Sequence, residues 1–324
     1  MLMKTKLVLI AASFLFGATL ASAQTKKLAE THNAALRYWM AFAEMQDPPS
    51  EKATAELLEK TAAGEAPWDE AKLGPILDKN EDAILAMQRA TKLPECDWGL
   101  EYGRGPRASI AYVPRARVLA RLNTLYGVRL AARGKTQEAI DTWLAGIRFS
   151  QHLTQGGGLI FSLIAKMNLL SNFNALTQSA QSGSWSNQQR KQVEDVIRAI
   201  PGTGFDWSEA LWHEQAVLEQ GAAQMAQANN SRVYYEEMMG KPAPEKFEPP
   251  NMSDTVAFQK LMGVAEATLR LPPEQAQDRL RALQESVKTL HPFYRDTTPS
   301  FTKINDARAE VQAAREKLLR ATAR

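Results

Sequence analysis

A single cysteine, Cys96, occurs among the 324 residues of this sequence. One cysteine cannot form a disulfide bond within the chain, which excludes a small scaffold held together by disulfides. A disordered tail and a collagen-like fibre are also excluded, because 44% of the residues are hydrophobic and 23% are charged, close to the averages of folded soluble proteins. A chain of this length can bury most of its apolar surface without a covalent cross-link.

Long apolar runs are rare, and the most continuous one lies at the N-terminus. Lys4 and Lys6 form a basic start, and residues 7–20 are almost entirely apolar. Residues 21–23 (Ala-Ser-Ala) place small side chains at the positions that a signal peptidase recognises. This pattern predicts a secretory signal peptide over residues 1–23, cleaved after Ala23, and therefore a periplasmic or extracellular protein. The alternative of an uncleaved membrane anchor is disfavoured, because the run is shorter than the roughly 20 residues of a spanning helix.

A second continuous apolar segment and a large excess of one charge are both missing. The most apolar later stretch, residues 157–176, is interrupted by Lys166 and three asparagines, so we expect no stable membrane span after cleavage. The formal charge is +3, and it includes the two lysines of the leader, so the mature chain is almost neutral. Affinity for nucleic acid grows with the number of phosphates neutralised, and this balance therefore predicts no nucleic-acid partner.

The alternation of apolar and polar residues that is typical of β-strands is absent. Helix-forming residues dominate between the glycine- and proline-containing breaks, which predicts an all-α protein. Ser186 and Asp206 are expected to cap helices. Four prolines between Lys241 and Pro250 mark a loop over 241–253, which separates a body over 24–240 from C-terminal helices over 254–324 packed on or beside it. The clearest helices are predicted over residues 26–46, 157–181, 186–199, 206–228, 254–270, 272–290 and 299–322.

Small residues and one tryptophan recur at helical spacing over residues 120–152. The pattern consists of Gly127, Leu130, Gly134, Ala139, Trp143 and Gly146. It resembles the tetratricopeptide repeat, a helix–turn–helix unit of 34 residues. The resemblance implies that small residues let two antiparallel helices approach, that Gly134 turns the chain and that Trp143 fills the space between the pair and its neighbour.

The match covers one unit and departs from the family at Asn123, Tyr126 and Gln151, where an aromatic residue, leucine and proline are usual. One unit cannot bury its own apolar face, so the flanking helices are expected to stack on it in a solenoid-like arrangement of helical hairpins. Together with the loop Cys96-Asp97-Trp98-Gly99, the hairpin is also similar to exported all-helical proteins of bacteria.

Residues 102–137 carry eight basic side chains and no acidic one. Arg117 and Arg121 lie one helical turn apart, and the resemblance implies that Arg121 and Thr124 face the concave side, where repeat proteins hold ligands. Because the arginine fork suits carboxylates and phosphates, an anionic or acidic-peptide site is predicted there. The candidate ligand-binding residues are Arg117, Arg121, Thr124, Arg107 and Arg104.

A structural role for the same arginines is the alternative. In it they pair with acidic side chains of adjacent helices, such as Glu65, Asp69, Glu70 and Glu81. Arg115, Arg129 and Arg133 fall near the apolar side of their helix, and we expect them to form such pairs.

Catalytic and metal-binding patterns are weak. Cys96 lies between two acids, but no histidine that would lower its pKa lies within 50 residues. It is a buried core residue, a reactive thiol or one half of an intermolecular disulfide. His213 and Glu214 begin a zinc-protease pattern that fails at Val217, where the second histidine is required. We therefore assign no catalytic residue, no metal and no cofactor.

The leading hypothesis is a non-enzymatic scaffold or binding module of the cell envelope, which binds an envelope protein or peptide, or another anionic ligand, in an arginine-edged groove. Two alternatives stay open. One is an envelope hydrolase whose carboxylates converge from separate helices. The other is a carrier of an apolar ligand between helices.

Overall fold

The computed structural model describes residues 31–323, and the predicted signal peptide lies outside them. The described residues contain fourteen α-helices and one 3-10 helix, Tyr102–Arg107, and among them two residues, Asn33 and Glu95, form an isolated β-bridge. The prediction of an all-α fold is thus confirmed. The helices are α1 (Ala34–Glu44), α2 (Lys52–Ala63), α3 (Glu70–Asp78), α4 (Glu81–Ala90), α5 (Tyr112–Ala132), α6 (Thr136–Thr154), α7 (Leu159–Gln181), α8 (Asn187–Ala199), α9 (Trp207–Gln227), α10 (Ser231–Met239), α11 (Met252–Leu269), α12 (Pro273–Val287), α13 (Pro292–Thr297) and α14 (Phe301–Thr322).

Helix starts follow the local capping chemistry. Ser186 and Gln189 form a reciprocal capping box at the start of α8, and the Asp206 carboxylate accepts hydrogen bonds from the backbone N–H groups of Ser208 and Glu209 at the start of α9. Both caps satisfy backbone donors that have no partner inside the helix. The two capping predictions are therefore confirmed.

Helices α5 and α6 form a closely packed hairpin. Gly134 turns the chain between them with a φ of 74°, a conformation that glycine adopts without steric cost. A Cβ atom at Gly127 would overlap the Trp143 indole, whose Nε1 donates a hydrogen bond of 3.1 Å to the carbonyl oxygen of Thr124. Gly127 and Gly134 thus allow the close approach and the turn of this hairpin.

Helix α7 packs against α5, α6, α9 and α14, and it is the central helix of the described fold. Its length and mean hydropathy of 1.3 would suffice for a membrane-spanning helix, but more than half of that apolar window is buried inside the protein. Asn168 and Asn172 are buried on it, and Asn168 Nδ2 donates 3.0 Å to the Gly146 carbonyl oxygen of α6. Such interhelical bonds are those of a core helix.

The C-terminal helices pack on the body: α11 contacts α9, and α14 contacts both α7 and α8. The proline-rich segment before them is held in place, because Arg232 Nη2 donates to the backbone carbonyl oxygens of Pro244 and Glu245 at 2.8 and 2.7 Å. Helix α11 begins at Met252, inside the segment that the sequence predicts as a loop. The sequence pattern also misses the short helices α10 and α13.

Candidate functional site

A shallow groove lies between α2, α5 and α7, and we call it the arginine groove. It has a volume of about 290 Å³, and its lining includes Arg117 and Arg121 of α5, Glu59 of α2, and Ile164 and Met167 of α7. The predicted pair of arginines therefore does face a groove. Helix spacing brings the two guanidinium groups to the same side of α5, since residues four apart lie one turn apart.

Glu59 is the carboxylate that both arginines share. Its Oε1 lies 2.8 Å from Arg121 Nη2 and 3.8 Å from Arg117 Nη2. Burial lowers the pKa of Arg121, the attraction of Glu59 raises it, and repulsion from Arg117 lowers it further. Two cations with one anion leave a net positive charge at the groove, which a second carboxylate would neutralise.

An exposed apolar strip on α7 runs into this groove. Ile160, Leu163 and Met167 are 44%, 41% and 51% exposed, and the half-buried Ile164 lies among them. The spacing i, i+3, i+4 and i+7 places all four on one helix face. Aliphatic side chains exposed in a row beside a charged rim are typical of a protein-binding surface.

Thr124 does not line the groove, and its prediction as a ligand-binding residue is wrong. The side chain is fully buried, and its hydroxyl donates to the Ala120 carbonyl oxygen at 3.2 Å and to Asn172 Oδ1 at 3.4 Å. Helix α7 packs directly over this position of α5, and a single hairpin pattern does not reveal such a neighbour.

Arg104 and Arg107 belong to a different surface. They lie on the 3-10 helix Tyr102–Arg107, which packs against α9. Arg104 forms an exposed ion pair with Glu101 at 3.1 Å, and the Arg107 guanidinium lies 4.9 Å from the centre of the Tyr234 ring. Neither residue lines the arginine groove. Of the five predicted residues, two arginines line the groove, the threonine is buried, and two arginines lie on another surface.

The other arginines of the basic stretch pair with acidic side chains of the N-terminal segment. Arg129 is almost fully buried, and it bonds Glu70 Oε1 and Asp78 Oδ1 of α3, each at 2.6 Å. Its hydrogen bonds are the main reason that the pKa of Glu70 falls to about 2. Arg133 also bonds Glu70, and Arg115 bonds Asp47. The prediction that these three arginines form structural pairs is confirmed.

Cys96 is buried in the hydrophobic core. Burial, and to a lesser extent the neighbouring Asp97, raise the pKa of its thiol to about 12, so the nucleophilic thiolate is scarce at neutral pH. Within residues 31–323, no group of three or more His, Cys, Asp or Glu side chains is arranged to hold a metal ion.

Sequence reasoning missed the contribution of α2 to the groove. Glu59 lies 62 residues from Arg121, and α2 packs on both α5 and α7. No local pattern links these segments, although the acidic Glu59 on a helix with a buried Leu58 and Ala62 is consistent with a helix that docks on a basic neighbour.

Comparison with known proteins returned no matching protein family, no similar curated protein and no similar solved structure.

Proposed function

We propose that this protein is an exported, non-enzymatic binding module that holds an acidic, partly apolar peptide segment of an envelope protein in the arginine groove. The observation that carries the proposal is the sharing of one carboxylate, Glu59, by two arginines at the rim of an exposed apolar strip. A peptide carboxylate would complete the charge balance, because arginine binds carboxylates through paired hydrogen bonds. Aliphatic side chains of the peptide would cover the strip on α7.

The hairpin of α5 and α6 supports the interpretation of this part of the fold as tetratricopeptide-like. In that interpretation α5 and α7 are the inner helices of successive units, and α2 lies along the groove between them. The contacts of α2 with both helices agree with this arrangement. The predicted signal peptide supplies the location, and cell fractionation of the native protein would test it.

Selection of displayed random peptides against the purified protein tests the groove. Enriched peptides should combine an acidic residue with aliphatic residues, and their affinity should fall as salt screens the charge pairs. The double variant R117E/R121E should weaken binding about tenfold or more, since it reverses both charges. A second variant, Met167→Gln, makes the strip more polar without adding a charge beside either arginine, and it should weaken binding of the same peptides.

The matched control is R281E/R320E, which makes the same charge change at two exposed arginines on α12 and α14. Circular dichroism must show that every variant keeps its helices. Peptides that bind R117E/R121E and Met167→Gln as tightly as the original protein would overturn the proposal, as would a selection without enriched acidic sequences. The hydrolase and apolar-carrier hypotheses stay predictions.

A further inference from the structure

A second cavity lies where the end of α2 and the following loop cover α5, α6 and α7, and we call it the Trp68 cavity. Its volume is about 550 Å³, within the roughly 300–1,000 Å³ of small-molecule sites. Trp68 and Gly64 lie on one wall, and Ala131 of α5 and Gln178 of α7 lie on others.

The polar lining of the Trp68 cavity is almost entirely neutral. Six side chains with hydroxyl or amide groups contribute to it: Thr61, Thr136, Gln178, Ser179, Ser182 and Ser184. Glu65 is the one charged side chain among its lining residues, which include no lysine, arginine or histidine. Such a lining offers many hydrogen bonds but no charge for an anion, so it suits a neutral ligand with several hydroxyl groups.

Thr61 supplies the observation that points to a ligand. Its side chain is 1% exposed, and its Oγ1 is buried without a hydrogen-bond partner in the described part of the chain. A threonine in a helix commonly donates to the carbonyl four residues earlier, and Thr61 does not. Because a buried hydroxyl without a partner is unfavourable, a ligand hydroxyl in this cavity would satisfy it.

Hydrogen bonds within the protein hold the Trp68 indole in place without a ligand. Trp68 Nε1 donates 2.8 Å to Glu70 Oε2, and Glu70 is itself bound by the buried Arg129. Ser179 of α7 also lines the cavity, and its Oγ accepts a hydrogen bond of 2.9 Å from Trp185 Nε1, which orients that hydroxyl. An indole held in place, together with an oriented hydroxyl group, suits the apolar face and the polar edge of a sugar ring.

We propose that the Trp68 cavity binds a neutral saccharide. The inference goes beyond the proposed peptide-binding function, because it concerns a different cavity with a different ligand class. Helix α2 contributes to both sites through Ala62, so the two are neighbours, and variants of one site must be tested for effects on the other.

The test is saturation-transfer NMR of the purified protein with three defined probes: cellotriose, maltotriose and tri-N-acetylchitotriose. At least one of them should receive magnetisation from the protein. The variant Thr61→Val should weaken its binding roughly fivefold, the loss expected for one hydrogen bond. The same variant should unfold at an equal or higher temperature than the original protein, because it removes an unpartnered buried hydroxyl. Trp68→Ala should weaken binding at least as much.

Trp212→Ala is the matched control, since Trp212 is 54% exposed on α9 and does not line the cavity. R117E/R121E should also leave saccharide binding unchanged, which separates this inference from the peptide proposal. Absence of transfer to all three saccharides would overturn the proposal. Unchanged affinity in Thr61→Val and Trp68→Ala would overturn it equally, because the saccharide would then bind elsewhere.

Discussion

At the scale of single residues, a buried polar cluster joins α1 to α6. The Tyr38 hydroxyl lies 2.7 Å from His152 Nδ1, and Trp98 Nε1 donates 2.8 Å to the His152 carbonyl oxygen. Burial, and to a lesser extent Arg148, lowers the pKa of His152 to about 4, while burial raises the pKa of Tyr38. Both side chains are therefore neutral at physiological pH, and they share one hydrogen bond in the core.

The protonation of His152 predicts how stability depends on pH. The unfolded chain binds a proton at this histidine near pH 6.5, whereas the folded chain binds it near pH 4. The folded state is thus favoured above pH 6.5, and this contribution is lost as the pH falls towards 4. Between pH 7.5 and 4 the original protein should lose about 3 kcal/mol more unfolding free energy than His152→Gln, which cannot titrate.

Urea denaturation followed by tryptophan fluorescence at several pH values measures this difference. The unfolding free energy of each protein is compared with its own value at pH 7.5. This comparison removes the part of the substitution's effect that does not depend on pH. Parallel stability curves for the two proteins would show that His152 is not buried in its neutral form.

At the scale of secondary-structure elements, the approach of α5 to α6 depends on the absence of a side chain. A Cβ at Gly127 would overlap the Trp143 indole, and a Cβ at Gly146 would overlap the buried Asn172 of α7. Both glycines lie inside helices, where glycine is intrinsically unfavourable. Their presence is therefore explained by close packing rather than by helix propensity.

Substitution of Gly127 by alanine should destabilise the protein by about 1–3 kcal/mol, because the indole of Trp143 must shift in a packed core. The matched control is Gly263→Ala in α11, where an added Cβ meets no atom within 4 Å of the described chain. There the substitution should stabilise the helix by up to about 1 kcal/mol. Chemical denaturation measures the change in unfolding free energy of each variant, and the two changes should have opposite signs. A stabilising Gly127→Ala would contradict the packing of this hairpin.

At the scale of the whole molecule, the helices that follow the proline-rich segment share a core with those that precede it. Val311 and Leu318 of α14 are fully buried, Arg315 Nε donates 3.1 Å to the Ile197 carbonyl oxygen of α8, and Lys166 of α7 forms an ion pair with Glu310. These contacts tie segments that are more than 100 residues apart. We therefore expect the described body and its C-terminal helices to unfold as one cooperative unit.

All seven tryptophans precede residue 241, so their fluorescence reports on the body, whereas far-ultraviolet circular dichroism reports on all helices. The two signals should give the same urea midpoint. Leu318→Ala should lower both midpoints together, at a cost of roughly 2–5 kcal/mol for the buried leucine.

Lys317→Ala, at the exposed neighbouring position, is the control for this experiment, and it should leave both midpoints almost unchanged. Two separate transitions, with fluorescence insensitive to Leu318→Ala, would instead mean that the C-terminal helices fold as an independent unit.

The amino-acid sequence by itself determined the features that depend on neighbours within a few turns. Ser186 and Asp206 define helix starts because their side chains accept hydrogen bonds from backbone N–H groups two or three residues later. The small residues over 120–152 implied the α5–α6 hairpin through their resemblance to the tetratricopeptide repeat. The assignment of Arg129 and Arg133 to ion pairs also followed from their position beside the apolar side of α5. Each of these rests on residue spacing within one helix or across one short turn, which can be read from the sequence.

The tertiary structure alone decided which helices meet across long separations. It placed α2 against α5 and α7, which brought Glu59 to Arg117 and Arg121 and created the arginine groove. It also packed α7 over Thr124, which buries that side chain. The physical reason is that helix patterns are fixed by local hydrogen bonds, whereas the choice of packing partner depends on the fit of whole surfaces, and one helix sequence does not carry that information.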